Sequence, residues 1–299
     1  MKDYGITGFL WGVIVGLLMA YAIIVMMEWK EISRLEETAM TRFGLIGNGI
    51  ISKRHKEAIR HINGELIWIV DPVNAPEKSN DQKIYVRQES GYLLDMVDYV
   101  VICSPTPFHR QQTKNALKRG CSVICEKPLC LPWEPLIDDD RVNVVLQLRW
   151  IKDLPKRADL VKAVMVRDAA FFKTWKGDPK QAGGFIYELF IHYIDLAILL
   201  GAGFEGEVRP DGIQERKIVS YDCSEMFFSQ GTSSIAIRDI LRLDMQDLYN
   251  RMYEDILQGK GVKPKDIFYL TWVLNQQSAR EGFNVGGMGK TIQIEKGQL

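Results

Sequence analysis

Residues 42–52 read RFGLIGNGIIS, and this short stretch decides the fold of the chain around it. Four of its first five residues are apolar or small, as in a buried strand, and a glycine-rich turn follows. Gly47 permits a tight turn, Gly49 lets a pyrophosphate group approach the backbone, and Ser52 keeps the third position of the motif small. A helix that begins behind such a turn offers backbone N–H groups to an anion. The segment therefore predicts a strand, a turn and a helix that bind a dinucleotide.

The next apolar run, residues 66–70, ends in Asp71-Pro72, at the distance of about 20 residues that this motif requires. A strand, a helix over residues 50–62 and a second strand in this order form a parallel pair with a right-handed crossover. A carboxylate at the end of the second strand accepts hydrogen bonds from the ribose hydroxyls of NAD and repels the 2′-phosphate of NADP. Asp71 therefore predicts NAD as the cofactor. The alternative is that Asp71-Pro72 only begins a turn.

Three further apolar runs extend the predicted sheet. They occupy residues 99–103, 122–125 and 142–148, with a helix over residues 109–119 between the first two. Apolar runs without alternation are typical of strands that are covered on both faces. The first part of the chain is therefore predicted to be an α/β domain with a doubly wound parallel sheet.

The pattern changes after Arg149 to longer alternating strands, which reach about residue 240, and to helices. The predicted helices cover residues 185–200, 244–258 and 265–280. Strands and helices in this proportion indicate a smaller α+β domain with a mixed, largely antiparallel sheet.

Residues 4–27 contain no charged side chain, and about 24 helical residues cross a hydrocarbon core of about 30 Å. This length predicts a single transmembrane helix, with a cleaved signal peptide, a buried helix or a translation start at Met40 as alternatives. Basic residues after the helix place the C-terminal body in the cytoplasm, and a start at Met40 makes the protein soluble and cytoplasmic. The predicted organisation is a transmembrane helix and linker, a nucleotide-binding domain, and a substrate and oligomerisation domain, at residues 1–39, 40–150 and 151–299.

The composition is that of an ordinary folded protein. Hydrophobic residues make up 46% and charged residues 25% of the 299 residues, which excludes a disordered chain. The 38 basic and 38 acidic residues give no net charge, so no basic field exists to bind a nucleic-acid backbone. The spacing of Cys121, Cys125 and Cys130 fits no tetrahedral metal site. We expect reduced thiols, no metal and no nucleic-acid partner.

Two polar motifs follow predicted strands of the parallel sheet: ICSPTPFH at residues 102–109 and ICEKPL at residues 124–129. Open α/β sheets bind their ligands at the carboxyl ends of such strands. A lysine there, Lys127, acts as a general acid or base when burial and neighbouring charges lower its pKa. Read alone, Glu-Lys-Pro is equally compatible with an ordinary loop.

A third motif combines TWKGD at residues 174–178 with a Gly-Gly pair and a helical HYID at residues 192–195. His192 and Asp195 lie one helical turn apart, so the carboxylate could orient the imidazole. The alternative is a histidine that is hydrogen-bonded within the core. Lys176 and Arg149 are cations suited to the carboxylate or phosphates of a substrate, with solvated surface charge as the alternative for both.

In this order, the motifs GLIGNG, ICSPTPFH, ICEKPL and GG…HxxD resemble the Gfo/Idh/MocA oxidoreductases over nearly the whole chain from Met40. The segments VVLQLRW, TWKGDPKQAGG and CEKPLCLPWE are similar to the WlbA/WbpB branch of that family. The resemblance implies a Rossmann fold, a nucleotide-sugar substrate and a homo-oligomer. It also implies NAD-dependent oxidation of the 3-hydroxyl of UDP-N-acetylglucosaminuronic acid, a UDP-linked N-acetyl-hexuronic acid, for surface-polysaccharide biosynthesis.

The resemblance assigns roles to single residues. Lys127 matches the active-site lysine and His192 the active-site histidine, with Asp195 as its partner. Hydride leaves the sugar C3 for the nicotinamide, while either Lys127 or His192 takes the hydroxyl proton. The expected cofactor contacts are Gly47, Asn48, Gly49, Ile50, Ile51, Asp71, Ser104, Pro105, His109, Glu126 and Lys127. The expected substrate contacts are Lys127, Arg149, Trp175, Lys176, Glu188 and His192.

Two residues depart from the branch. Glu188 stands where the branch usually has a small or amide residue, and Phe190 stands where it usually has a glycine. If Phe190 faces the nicotinamide, it narrows the pocket or alters the substrate. The alternatives are therefore another sugar or polyol dehydrogenase or reductase of the family, and a non-catalytic NAD-binding sensor or scaffold.

Overall fold

The computed structural model describes most of the chain as helices and strands joined by short loops. The described residues are 16–27, 40–73, 84–86, 91–152, 154–167, 173–184, 186–210, 225–230, 233–237, 244–280 and 291–295. Thr41–Leu299 form one compact unit and Met1–Met40 another. In the smaller unit, residues 16–27 form helix α1.

A six-stranded parallel sheet forms the first part of the larger unit. Its strands are β1 (Arg42–Ile46), β2 (Glu65–Val70), β3 (Ile84–Val86), β4 (Tyr99–Ile102), β5 (Ser122–Cys125) and β6 (Val142–Val144). The helices between them are α2 (Ser52–His61), α3 (Gly91–Leu94) and α4 (Thr106–Lys118). The strands lie in the order β3-β2-β1-β4-β5-β6, which confirms the doubly wound sheet and places its ligand crevice beside β1 and β4.

The central strand β1 is buried on both faces, as its apolar run predicts. Phe43 and Leu45 belong to one apolar cluster and Ile46 to another on the opposite face. Gly44 makes room for the large ring of Trp68 on β2, since a Cβ at Gly44 would lie 2.0 Å from that ring. A glycine inside a strand thus marks a close approach of a neighbouring side chain.

A five-stranded mixed sheet follows in the chain. Its strands are β7 (Leu160–Arg167), β8 (Gly203–Pro210), β9 (Glu225–Gln230), β10 (Ser233–Ile237) and β11 (Thr291–Ile294). They lie in the order β10-β9-β7-β8-β11, with β7 and β8 parallel and the other pairs antiparallel. The helices of this part are α5 (Pro179–Ala182), α6 (Ile191–Leu200), α7 (Met245–Leu257) and α8 (Phe268–Arg280). The predicted mixed, largely antiparallel sheet is confirmed.

Two predicted elements are shorter or more irregular than the sequence suggests. The strand expected over residues 142–148 ends at Val144, and the helix expected over residues 185–200 begins with a π-helical turn, Ile186–Phe190. Short 3₁₀ turns occupy Gln147–Trp150, Trp175–Gly177 and Pro264–Ile267. π-Helical turns are frequent at functional sites, and this one lies at the start of the helix that carries the predicted histidine.

Helix α7 packs on the parallel sheet although it comes late in the chain. Its buried Tyr249, Met252, Tyr253 and Ile256 join the apolar cluster of β1, β4 and α2. These positions repeat at i, i+3, i+4 and i+7, so they share one face of the helix. Each such side chain contributes about 1.5–3 kcal/mol on burial. The late helix therefore becomes part of the nucleotide-binding half, and the boundary between residues 150 and 151 stays a prediction.

The N-terminal prediction falls largely on residues that the structure does not describe. Residues 4–15 of the expected membrane segment and residues 28–39 of the linker lie outside the described residues. Within the described part of the chain, no helix has both the length and the apolar character that a bilayer crossing needs. The transmembrane helix and the localisation stay predictions.

Candidate active site

The turn between β1 and α2 requires glycine at position 47. Gly47 has a φ of +92°, and its N–H donates to the Val70 carbonyl at 2.8 Å. A Cβ there would lie 2.7 Å from the carbonyl of Cys103 and 2.8 Å from the backbone nitrogen of Ser104. The turn therefore lies directly against the end of β4, at the crevice where the strand order reverses.

The neighbouring Gly49 leaves room for a ligand. A Cβ at Gly49 would meet no atom within 4 Å. Helix α2 starts just beyond it, and its N-cap Ile51 makes no side-chain hydrogen bond, so the first turn presents backbone N–H groups beside Ile50 and Ile51. The buried Ser52 hydroxyl donates to the Gly49 carbonyl at 2.6 Å and holds the turn closed. This cradle fits the pyrophosphate of NAD.

Asp71 closes the other side of the cradle. Its carboxylate accepts hydrogen bonds from the backbone N–H of Asn48 at 2.6 Å and of Val73 at 2.7 Å. The Asn48 side chain in turn accepts a hydrogen bond from Lys56 Nζ. These bonds fix the carboxylate at the end of β2, where a ribose hydroxyl binds and a 2′-phosphate is repelled.

We expect Gly47→Ala and Gly49→Ala to separate folding from cofactor binding. Gly47→Ala forces a methyl group against backbone atoms at a positive φ, so it should destabilise the protein by about 2–4 kcal/mol. Gly49→Ala should leave the Tm almost unchanged but weaken NAD binding about tenfold or more, because the methyl group occupies the pyrophosphate approach. Thermal unfolding and NAD titration measure the two effects. Equal losses of Tm in both variants would contradict the separation.

The motif ICSPTPFH forms the turn from β4 into α4. Ser104 follows the strand, lies against Gly47, and donates a hydrogen bond from its hydroxyl to Gln112 Oε1 at 2.5 Å. Pro105 is the N-cap of α4 and adopts an extended conformation. The predicted cofactor contacts Ser104 and Pro105 are thus placed beside the glycine cradle.

His109 connects this turn with the loop that follows β5. Its ring nitrogens lie 2.6 Å from the Ser104 carbonyl and 2.7 Å from the Pro128 carbonyl, and its side chain is buried. Burial lowers the pKa of His109, so the neutral ring donates to only one carbonyl at a time. The Lys127-Pro128 peptide bond is cis. Since both nitrogens face backbone carbonyls, His109 positions these loops and does not point a nitrogen at the cofactor, in contrast to the prediction.

A buried hydrogen-bond network holds Glu126, the residue before Lys127. Glu126 Oε1 accepts from the Tyr249 hydroxyl at 2.8 Å and lies 3.0 Å from His55 Nε2. The other ring nitrogen of His55 lies 2.7 Å from the Tyr253 hydroxyl. Burial alone would raise the pKa of Glu126, but the hydrogen bonds and charge of His55, Tyr249 and Lys127 lower it to about 2. Glu126 is therefore a fixed negative charge beside Lys127.

Sequence reasoning missed three of these residues. His55 lies on α2, and Tyr249 and Tyr253 lie on α7, far from Glu126 along the chain. The four-residue spacing of Tyr249 and Tyr253 predicts that they share one helix face, but it does not predict which residues that face contacts.

Lys127 reaches from the end of β5 to the π-helical turn. Its Nζ donates a hydrogen bond to the Glu188 carbonyl at 2.8 Å. A carbonyl acceptor orients the amine without neutralising its charge. His192 lies four residues beyond Glu188, and the charge of Lys127 acts on its pKa. Lys127 thus contacts the π-helical turn that leads into the helix of His192, and the joint action of the two side chains stays a prediction.

His192 carries a neutral ring in this position. Burial, followed by the positive charge of Lys127, lowers the pKa of His192 to about 3. Its Nδ1 is buried and has no hydrogen-bond partner among the described residues. A neutral imidazole with an unused nitrogen can bind a hydroxyl group of a substrate.

Asp195 does not orient His192, contrary to the prediction. Its carboxylate accepts hydrogen bonds from Arg149 Nε at 2.8 Å and Nη2 at 2.5 Å, and burial raises the pKa of Asp195. Both carboxylate oxygens are thus occupied by Arg149 of the 3₁₀ turn after β6, and no hydrogen bond joins Asp195 to His192 among the described residues. Arg149, predicted to bind a substrate anion, is neutralised by this pair.

The second predicted cation is also paired. Lys176 Nζ lies 3.0 Å from Glu188 Oε1 and 5.6 Å from the centroid of the Trp175 ring. The Glu188 side chain is 6% exposed, so this pair is largely shielded from water on the carboxylate side. We call the group formed by Lys127, Trp175, Lys176, Glu188 and His192 the candidate catalytic cluster.

Phe190 lies in the core of the second sheet and does not narrow the nicotinamide pocket. Its ring is buried and packs edge-on against Phe204 of β8, with ring centroids 5.5 Å apart. Gly206 makes room for it, since a Cβ there would lie 2.9 Å from the Phe190 ring. The condition under which Phe190 would narrow the pocket, a ring that faces the nicotinamide, is not met by this packing.

We expect the stability of the protein to fall as the pH falls below about 6.5, in part because of His192. An unfolded histidine titrates near pH 6.5, whereas His192 in the folded state titrates at about 3, so acid protonates the unfolded state first and favours unfolding. Above pH 6.5 both states are neutral and the contribution vanishes. His192→Asn should flatten the decline of Tm between about pH 6.5 and 5, and the exposed His61→Asn should not. Identical slopes for wild type and His192→Asn would refute this.

The cysteines that the sequence analysis considered as metal ligands are free and buried. Cys121, Cys125 and Cys130 form no disulfide, and burial raises the pKa of Cys130 to about 12. Among the described residues, no group of His, Cys, Asp and Glu is arranged to hold a metal ion. These thiols stay protonated and serve as small apolar packing groups.

The cradle for NAD and the Lys127 amine both lie at the carboxyl ends of the parallel strands, and this combination is that of an NAD-dependent dehydrogenase. Residues 41–138 match GFO_IDH_MocA, described as an oxidoreductase family with an NAD-binding Rossmann fold. This match and the structural neighbours support the Gfo/Idh/MocA family that the motifs resemble.

Two curated relatives show the range of similar proteins. The glucose-6-phosphate 3-dehydrogenase of Bacillus subtilis is 22% identical over 255 residues, which are 76% of this chain and 70% of the relative. The inositol 2-dehydrogenase of Rhizobium meliloti is 26% identical over 182 residues, which are 54% of this chain and 55% of the relative. The second match thus spans about half the length of each protein.

Solved structures extend the similarity to the second sheet. The WlbA (WbpB) dehydrogenase from Thermus thermophilus, in complex with NAD and UDP-GlcNAcA, has a TM-score of 0.62 at 22% identity and covers 80% of this chain and 94% of its own. The scyllo-inositol dehydrogenase from Lactobacillus casei, with bound NAD(H) and scyllo-inositol, has a TM-score of 0.59 at 14% identity and covers 85% and 99%. At these identities the likeness is one of fold.

Proposed function

We propose that the protein oxidises the 3-hydroxyl of a UDP-linked N-acetyl-hexuronic acid with NAD as the hydride acceptor. The observation that carries the proposal is the hydrogen bond from Lys127, at the end of β5, to the Glu188 carbonyl on the π-helical turn before His192, at the same sheet edge as the glycine cradle. When bound, NAD supplies the acceptor for the hydride. The protein then has to hold the sugar hydroxyl and remove its proton.

We assign these two tasks to different residues. With its pKa at about 3, His192 is a weak base, but its neutral ring accepts or donates a hydrogen bond and so orients the hydroxyl. An amine is a stronger base than such an imidazole, so we assign the proton to Lys127, which has to be in its free-amine form before the step because an ammonium group has no lone pair. The Glu188 carbonyl and the Glu126 carboxylate keep the lysine in place.

Support for a nucleotide sugar comes from sequence and from neighbours. The TWKGDPKQAGG and CEKPLCLPWE segments resemble the WlbA/WbpB branch. The WlbA dehydrogenases from Thermus thermophilus and Bordetella pertussis were crystallised with UDP-GlcNAcA. The proposed place of the reaction, the biosynthesis of surface-polysaccharide sugars, follows from the same resemblance.

Formation of NADH by the purified full chain tests the proposal. The panel contains UDP-N-acetylglucosaminuronic acid, UDP-N-acetylglucosamine, glucose 6-phosphate and myo-inositol, each with NAD. Reduction with a UDP-sugar supports the proposal. Reduction with glucose 6-phosphate or inositol alone would establish the other sugar or polyol dehydrogenase, which the named relatives favour. NAD binding without NADH formation on any sugar of the panel would favour the non-catalytic NAD-binding sensor. Of the two residues that motivate this alternative, Glu188 and Phe190, the second is buried in the core.

We further propose that residues 4–27 anchor the protein in a membrane with its body in the cytoplasm, and that the protein is a homo-oligomer. The support is the uncharged N-terminal segment and the family resemblance. Fractionation of the full-length chain and of a chain that starts at Met40 tests the anchor. Recovery of both chains in the soluble fraction would rule it out, and light scattering measures the oligomer.

A further inference from the structure

The carboxylate of Glu126 belongs to the residue next to Lys127, yet it forms no ion pair with the Lys127 amine. Within the described part of the chain, Lys127 Nζ makes one hydrogen bond, which it donates to the Glu188 carbonyl at 2.8 Å. The positive charge of Lys127 nevertheless acts on the pKa of Glu126. The two opposite charges are therefore close enough to attract each other, but the structure keeps them apart.

Three donors fix the Glu126 carboxylate in its position. Oε1 accepts from the Tyr249 hydroxyl at 2.8 Å and lies 3.0 Å from His55 Nε2, and Oε2 accepts from the backbone N–H of Lys127 at 3.3 Å. With its pKa at about 2, Glu126 is ionised at neutral pH and can only accept, so His55 donates from Nε2. Both carboxylate oxygens are thus bound to donors other than the lysine amine.

The two side-chain donors cannot easily follow a moving carboxylate. The second ring nitrogen of His55 lies 2.7 Å from the Tyr253 hydroxyl, and His55 and both tyrosines are at most 1% exposed. Their helices, α2 and α7, are also joined by a hydrogen bond from Gln246 Nε2 to the Arg54 carbonyl at 3.0 Å. The donors are therefore held by packing between two helices, and the carboxylate is held by them.

We infer that His55 and Tyr249 are positioning residues that hold the Glu126 carboxylate away from the Lys127 amine and so prevent an ion pair that would keep this amine protonated. The positioning role rests on the proposed function, in which Lys127 accepts the hydroxyl proton. A carboxylate released from its donors would turn to the nearby amine. An ion pair favours the ammonium form, which has no lone pair for a proton.

The other ionisable groups around this pair do not compete for the amine. Burial shifts the pKa of the neighbouring groups toward their neutral forms, upward for Cys103, Cys125 and Tyr253 and downward for His109 and His192. The charged neighbours already have partners: Glu188 Oε1 lies 3.0 Å from Lys176 Nζ, and Lys56 donates to Asn48 Oδ1. Glu126 is therefore the carboxylate whose release would change the protonation of the amine.

The test measures the free amine of Lys127 directly. Acetic anhydride acetylates only the unprotonated amine, so the extent of Lys127 acetylation in the full chain with NAD bound, read by mass spectrometry across a range of pH, gives a midpoint. Tyr249→Phe keeps the ring and removes one donor to Glu126. We expect it to raise this midpoint by about one pH unit, which is about tenfold less free amine at a given pH below the midpoint.

The same variant should change the pH profile of the reaction. In Tyr249→Phe, kcat/KM for the UDP-sugar should fall about tenfold near pH 7 and return close to the wild-type value at high pH, where the amine is free in both proteins. A merely structural defect would lower kcat/KM by the same factor at every pH.

Matched variants show whether the effect passes through Glu126. His55→Leu should raise the midpoint as Tyr249→Phe does, whereas His55→Gln keeps an N–H group that can reach Glu126 and should stay near the wild type. Tyr249→Phe combined with Glu126→Gln should not raise it, because no carboxylate is left to pair with the amine. The exposed His61→Asn, on the same helix as His55, is the control without effect. Thermal unfolding shows that each variant is folded.

The outcomes separate this inference from the proposed function. A midpoint that Tyr249→Phe does not raise, or raises equally in the Glu126→Gln background, overturns the inference whether or not the protein oxidises a sugar. A loss of kcat/KM that is equal at every pH overturns it as well. A raised midpoint in a protein that forms no NADH with any sugar of the panel supports the positioning contacts and overturns the proposed function.

Discussion

Lys127→Met should lower kcat by about 10³-fold or more and change the NAD dissociation constant by less than about threefold. Methionine keeps the length and the apolar stem of the side chain but removes the amine that we assign as proton acceptor. The cradle around Gly47 and Gly49 does not involve that amine, so cofactor binding should persist. Single-turnover NADH formation and NAD titration measure the two quantities.

A loss of turnover alone would not distinguish chemistry from misfolding. Lys265→Met removes an exposed lysine that pairs with Asp140, and we expect its turnover to stay within about twofold of wild type. Methylamine added to Lys127→Ala should restore part of the activity, because the free amine replaces the missing base. A Lys127→Met variant that keeps more than about a tenth of wild-type turnover would refute the assignment.

Glu126→Ala should destabilise the folded state by about 3–5 kcal/mol. It leaves His55 Nε2 and the Tyr249 hydroxyl buried without their acceptor and opens space beneath Lys127. Glu126→Gln keeps an acceptor oxygen and should cost less than half as much. Urea unfolding measures both changes.

The pH dependence of this stabilisation has a defined sign. The folded pKa of about 2 lies below the usual value of 4.5, so the contribution of Glu126 is complete above pH 4.5 and disappears as the pH falls toward 2. Glu57→Ala is the matched control, because Glu57 pairs with Arg60 on the exposed face of α2 and should change stability by less than about 0.5 kcal/mol. If Glu126→Ala were no more harmful than this control, the buried network would contribute nothing to stability.

The bounds of a strand could be predicted where the apolar run in the sequence is as long as the strand itself. The predicted run 122–125 has the bounds of β5, and the run 66–70 differs from β2 by one residue. The predicted run 142–148 is longer than β6 because an apolar sequence reports burial: Val145 and Leu146 are buried after the strand ends, and a 3₁₀ turn begins at Gln147. Strand β3 was missed because a three-residue edge strand carries too little pattern.

The candidate site was predicted where it depends on the ends of strands. Lys127 lies at the carboxyl end of β5, as predicted from its position directly after an apolar run. The ligand crevice lies at the same edge of the sheet, because the strand order reverses there. The partners of Asp195 and Glu188 were not predictable, because a one-residue change of helical phase moves a side chain by about 100°. The π-helical turn before α6 sets the rotational position of the side chains on that helix, and no local sequence pattern predicts such a turn.

The amino-acid sequence by itself determined the parallel sheet, the glycine cradle and the acid at the end of β2, because each follows from neighbouring residues and their backbone preferences. Only the tertiary structure decided which charges are neutralised: Glu188 meets Lys176, Asp195 meets Arg149, and Glu126 meets α7. Ion pairs and hydrogen bonds form between groups that are distant in the chain, and their energies depend on burial, which sequence spacing does not measure.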